Sequence, residues 1–136
     1  MKHLLPILTA VVLMVACSEG TPAWQAASEA RQYYSCLVDG NATGFLEGKA
    51  GVGSLPDDYC EQLLKAVEQY RADVDARHGG LREVRIADSH YADGGEALCD
   101  TTLGVTYAFL ILCYGDSTQE EITVPMVERD GRWLMK

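Results

Sequence analysis

Residues 78–92 read "HGGLREVRIADSHYA", and the rhythm of the chain changes inside them. Upstream, apolar side chains recur every three or four residues; downstream they gather into short runs rich in β-branched and aromatic types. His78-Gly79-Gly80 is the break, since glycines close a helix and release the chain in a new direction. Four segments after it read as strands: 81–92, 97–115 ("ALCDTTLGVTYAFLILCYG"), 120–128 ("EEITVPMVE") and 132–136 ("RWLMK"). The stretches between them, "DGGE", "GDST" and "RDG", are hairpin turn signals. Pro125 cannot donate a ladder hydrogen bond, so it marks an edge or a bulge.

Upstream of the break, Thr21 is set to cap a helix that opens at Pro22, and Asp39-Gly40-Asn41 is its stop. Trp24, Ala27, Ala30, Arg31, Tyr34, Leu37 and Val38 mark one face of that helix. A short turn over residues 42–48 has Phe45 and Leu46 as anchors, and "GKAGVGSLPDD" reads as loop. The clearest helix starts at Asp57 or Asp58, with Cys60, Leu63, Leu64, Val67, Tyr70, Arg71 and Val74 on one stripe. Helices first and consecutive strands afterwards predict an α+β domain. Two to three N-terminal helices pack on one face of an antiparallel four-stranded meander.

The run "ARQYYSCLVDGNATGFLEG" (30–48) resembles the opening of nuclear-transport-factor-2-like domains: an aromatic-bearing helix, an L-x-x-G-[DN] end, then a short helix with a bulky anchor. The ending "MVERDGRWLMK" (126–136) resembles their closing hairpin, where a charged turn with glycine precedes a tryptophan strand. The resemblance implies a cone, with a strongly curved sheet wrapped around a long helix and a pocket at the open end. It also implies a range of roles, since that superfamily holds isomerases, cyclases, dehydratases and non-catalytic members, small bacterial lipoproteins among them. A fold shared so widely does not fix an activity. The helix-then-meander layout invites a cystatin reading too, but the Q-x-V-x-G hairpin of those inhibitors is absent.

The first residues speak to location. A basic start, Met1-Lys2-His3, leads into a 13-residue apolar run, "LLPILTAVVLMVA", broken only by Pro6 and Thr9, too short for a membrane span of about 20 residues but the length of a secretory signal core. Met14-Val15-Ala16-Cys17 resembles a bacterial lipobox. That resemblance implies a thioether-linked diacylglyceryl group on the Cys17 sulfur, cleavage after Ala16 and acylation of the new N-terminus. The expected organisation is therefore a lipoprotein signal over 1–16, a lipidated cysteine and tether over 17–21, and a nuclear-transport-factor-2-like domain over 22–136. Two or more acyl chains give stable anchoring. The setting is the bacterial cell envelope, with the domain facing the periplasm or the exterior.

The chain carries 11 basic and 20 acidic residues, a net charge of −9 that becomes −10 once Lys2 leaves with the signal. Such a surface repels phosphate backbones, which excludes nucleic acid as a partner. No cofactor motif is found: "GFLEGKAGVGS" has the wrong glycine spacing for a phosphate loop and no Ser or Thr after Lys49. Cys36, Cys60, Cys99 and Cys113 contain no CxxC pair and the histidines are scattered, which argues against a metal.

Export permits disulfides among those four cysteines. Taking 97–115 as one strand separates Cys99 from Cys113 by roughly 45 Å, beyond any direct bridge. A helix-to-sheet bridge from Cys60, a Cys36–Cys60 bridge and free buried thiols all remain open. Both strand cysteines fall on the odd-numbered face with Leu103, Val105, Tyr107, Phe109 and Ile111, the bulkier face and the one expected under the helix bearing Cys60. The even face (Thr106, Ala108, Leu110, Leu112, Tyr114) is apolar as well, which predicts burial on both faces or a homodimer through the sheet.

Candidates for catalysis are Asp88, His90 and Tyr91 on the first strand, Tyr107 on the second, and Tyr33, Tyr34 and Tyr59 on or near the helices. Asp88 and His90 share one face of the first strand, which allows an acid–base pair. The main expectation is a non-catalytic, lipid-anchored domain that binds a small apolar ligand or an envelope protein. An isomerase or cyclase using a pocket acid–base pair is the alternative.

Overall fold

The computed structural model describes residues 21–91, 99–100 and 104–136. The leader, Cys17 and the side chain of Cys99 lie outside the described residues, as does the "DGGE" turn. Helix α1 spans Pro22–Val38, α2 Ala42–Glu47 and α3 Asp57–His78; strands follow as β1 Leu81–Ile86, β2 Cys99–Asp100, β3 Val105–Tyr114, β4 Gln119–Arg129 and β5 Arg132–Met135. All strand pairs are antiparallel, in the order β1-β3-β4-β5, with β2 also on β3. The result is the expected α+β meander under three helices, with a two-residue fifth strand added.

Local chemistry sets the boundaries. Thr21 caps α1 by accepting the Trp24 N–H on its hydroxyl, with Pro22 at the first helical position, and Asn41 caps α2 through Gly44 N–H. Helix α3 carries Asp57 and Asp58 in its first turn and Arg77 and His78 in its last, matching the helix dipole at both ends. Gly79 then takes a left-handed φ of 75°, and its N–H returns to the carbonyls of Val74 and Asp75. The β4–β5 hairpin turns on Asp130 and Gly131, both at positive φ, as a two-residue Asp-Gly loop requires.

The core corrects the facial reading of the sheet. Thr106, Ala108, Leu110, Leu112 and Tyr114 are buried, while Tyr107, Phe109, Ile111 and Cys113 on the odd face stay half-buried. The even face therefore meets the helices. The covering helix is α1, not the Cys60-bearing α3. Ala23, Ala26, Ala27 and Ala30 are at most 1% exposed, and small side chains let a helix axis approach a sheet closely. Reading the stripe of α1 by bulk favours Trp24 and Arg31, whereas the helix turns its alanines inward together with Tyr33 and Leu37.

Two strand readings also change. The segment 97–115 is not one strand: Cys99 pairs with Thr106 in an antiparallel ladder. Cys113 then lies seven residues further along β3, roughly 23 Å from Cys99's partner position. A Cys99–Cys113 bridge stays excluded at half the expected distance. Cys36, Cys60 and Cys113 are free thiols. The first strand stops at Ile86 and gives way to a single 3-10 turn over Asp88–His90.

Helix α3 is fastened at its C-terminal end to the turn between β3 and β4. Gly115 N–H donates to Gly80 O at 2.8 Å and Asp116 N–H to His78 O at 2.8 Å. Asp116 is held at about 2, well below the ordinary carboxylate value, chiefly by the Thr118 hydroxyl and N–H, with a smaller contribution from His78. The loop after α2 is anchored as well. Ala50 N–H donates to Met135 O and Met135 N–H to Gly48 O, both at 2.7 Å, which lays Lys49 parallel to the end of β5. The cap of α1, the core cluster and the ladders of the sheet all draw on residues 21–136, so the chain from residue 18 onward carries the whole of this packing.

Candidate functional site

Alanines bring α1 down onto the sheet, whereas α3 touches it only sparsely. Along α3 only Val74 is fully buried; Cys60, Leu63, Leu64, Val67 and Arg71 of the expected stripe are half-buried, and Tyr70 is 43% exposed. The space this leaves is a cavity of about 510 Å³. Leu63, Val67 and Tyr70 of α3 form its roof. Leu112, Ile122, Val124 and Met135 of the inner sheet face form its floor, and Tyr34 and Phe45 close one wall. The two wall rings meet edge to face at 5.1 Å between centroids. The volume is that of a small-molecule pocket, and the lining is mainly apolar.

Its polar groups are few and sorted. Burial pushes the Tyr34 and Tyr70 hydroxyls up, with Tyr70 adding to Tyr34 and the Glu120 charge adding to Tyr70. Tyr114 donates its hydroxyl to Glu120 at 2.7 Å and is itself pushed up, first by burial and then by that bond. These phenols stay neutral donors at physiological pH. Tyr114 and Glu120 lie outside the lining, whose polar side chains besides Tyr34 and Tyr70 are Thr123, Lys49 and Lys136.

The residues singled out from sequence divide between this cavity and the opposite face. Tyr34 lines the cavity. Asp88 is exposed in the 3-10 turn, and His90 beside it hydrogen-bonds Glu121 at 2.9 Å and stacks on Phe109 at 4.1 Å. Both partners belong to the outer, odd face. The shared strand face expected for Asp88 and His90 does not exist, because β1 has already ended. Tyr107 is half-buried on that same outer face, opposite Pro125. Tyr59 is 49% exposed at the start of α3. Tyr33 is buried and donates its hydroxyl to Trp133 O at 2.7 Å, a structural bond.

Tyr91 has a different task. It fills the gap on the edge of β3 between β1, which ends opposite Leu110, and β2, which begins opposite Thr106. There its hydroxyl accepts the Phe109 N–H at 2.6 Å while its ring meets Trp24 edge to face. His90 and Tyr91 together also cover part of the outer face of β3, which supplies a partner for Phe109 within the chain. Tyr91→Phe is expected to cost about 1–3 kcal/mol, the penalty for a stranded backbone donor, measured by chemical denaturation.

What sequence reasoning misses is the wall and the rim. Phe45 and the α3 stripe are visible as apolar anchors, but nothing in their spacing shows that α3 stands off the sheet. Lys49 lies in a stretch that reads as plain connector; its placement comes from pairing with β5, a contact 86 residues away in sequence.

No protein-family model matches the chain, and no curated protein matches its sequence. Among solved structures, the crystal structure of the "Putative NTF2-like transpeptidase" from Campylobacter jejuni superposes with a TM-score of 0.56 at 12% identity, covering 79% of this chain and 94% of that one. The fold is nuclear-transport-factor-2-like. Helices on the inside of a curved antiparallel sheet make the cone, and the cavity beneath α3 lies inside it. At this identity the likeness speaks to architecture only.

Proposed function

We propose that this chain is a lipid-anchored bacterial envelope protein that catalyses no reaction and binds a small apolar ligand beneath α3. The observation that carries the proposal is the cavity itself: about 510 Å³, with a lining that includes no Asp, Glu, His, Ser or Cys. Such a lining desolvates a ligand well and offers little with which to transform it. The isomerase or cyclase alternative asks for Asp88 or His90 in the pocket, and neither belongs to the lining. Transpeptidation, the activity in the name of the Campylobacter protein, would ask for a nucleophile such as serine or cysteine there. The anchor rests on the leader sequence: Cys17→Ala is expected to release the protein from membrane fractions and remove the acyl mass.

The binding test is calorimetric titration of the chain from residue 18 onward with decanol, beside Val67→Trp, which fills the cavity from its roof. Binding is expected in the first and at least tenfold weaker binding in the second, with the thermal midpoint unchanged or raised. Equal binding by both would remove the cavity from consideration.

A further inference from the structure

The cavity lining is charged at one end only. Its first end lies where β4 starts. Glu120 is near that end but outside the lining, hydrogen-bonded by Tyr114 and close enough to Tyr70 to push its hydroxyl up. The second end lies at Pro125, five residues on, roughly 17 Å away by strand rise. Lys49 and Lys136 gather there, and they are the only charged side chains in the lining. The sequence contains just four lysines against a net charge of −9, and two of the four line this rim.

Pro125 helps to place them. Lys136 N–H donates to Pro125 O at 2.8 Å, which continues the β4–β5 register by one step beyond Met126 and Met135. An ordinary residue at 125 would return its own N–H to the Lys136 carbonyl; proline has none. That carbonyl instead accepts from the Lys49 ammonium at 3.5 Å. The main chain of Lys49 is fixed on the other side by the bridge to Met135. An ammonium has three donors, so two remain for a ligand.

We infer that the cavity takes an amphiphile with one anionic head, of the fatty-carboxylate class, its tail under α3 and its carboxylate at Lys49 and Lys136. This rests on the cavity-binding reading above and adds the chemical class of the ligand. The orientation follows from the lining, whose cations stand at the Pro125 end alone.

The test pairs decanoate with decanol, equal in tail and different in head charge, on the chain from residue 18 onward. Lys49 and Lys136 are exposed, so Lys49→Gln and the double variant Lys49→Gln/Lys136→Gln leave the core intact. Wild type is expected to bind decanoate about five- to tenfold more tightly than decanol, as suits two solvent-accessible ion pairs. The double variant is expected to bind the two equally, and raising salt toward 1 M is expected to close the gap in wild type. Equal affinities in wild type, or a gap that survives in the double variant, would overturn the head-group assignment while leaving the cavity reading intact. Binding of neither probe to wild type would overturn both.

Discussion

Gly115→Ala is expected to lower stability by about 3 kcal/mol, a large change for a position with no side chain to remove. A Cβ at residue 115 would press into the carbonyl oxygen of Gly79, with the Gly79 carbonyl carbon only 2.9 Å away. Both are main-chain atoms held by the cap of α3, so no side chain can swing aside. Relief requires the β3–β4 turn to back away from the helix end. That breaks the Gly115 to Gly80 and Asp116 to His78 hydrogen bonds, each worth about 1 kcal/mol. Chemical denaturation measures the loss, with Gly53→Ala as control. Gly53 has open space around its missing Cβ and is expected to change stability by less than about 0.5 kcal/mol. Similar costs at the two glycines would mean that the α3 clasp is not where the structure places it.

Leu110→Ala is expected to cost about 4 kcal/mol. Leu110 is completely buried at the middle of β3, with Ile86 across one edge and Ile122 across the other. Strands on both sides and α1 above leave few ways for the site to collapse into the missing volume. Ile111→Ala, one residue along on the half-exposed outer face, is the internal comparison and is expected to cost less than half as much. A reversed order would restore the odd face as the core and undo the assignment of faces.

Those two faces show how far the sequence can be read. Where a residue's own chemistry decides, sequence and structure agree: Thr21 and Pro22 open α1, Gly79 closes α3, and Asp130-Gly131 makes the last hairpin. Pro125 is the exception: it lies at neither an edge nor a bulge but within the inner strand β4, opposite Tyr107 in an unbroken register, and its missing N–H falls where β5 has ended and only the Lys136 N–H reaches across. Where partners decide, the two part. Both faces of β3 are apolar, so bulk alone points to Phe109 and Ile111; the alanines of α1 settle the matter, because a helix can sit close only where its side chains are small. The break at Ile86 depends on Tyr91 taking over an edge hydrogen bond, a tertiary event with no local signature.

The candidate site is less legible than the fold. Tyr34 and the stripe of α3 can be named in advance, while the choice of Asp88 and His90 rests on a strand that ends before them. The cavity exists because α1 and α3 stand at different heights over one sheet. That difference is a property of two side-chain sets taken together and has no motif. Lys49 joins the site through a bridge that closes the sequence from its first half to its end.

The most direct test of the central claim is a methyl-resolved NMR titration of the chain from residue 18 onward with decanol. Binding beneath α3 predicts saturable shifts at Leu63, Val67, Leu112, Ile122 and Val124, with the outer-face methyls of Ile111 unmoved. Shifts confined to the outer face, or none at decanol saturation, would contradict it.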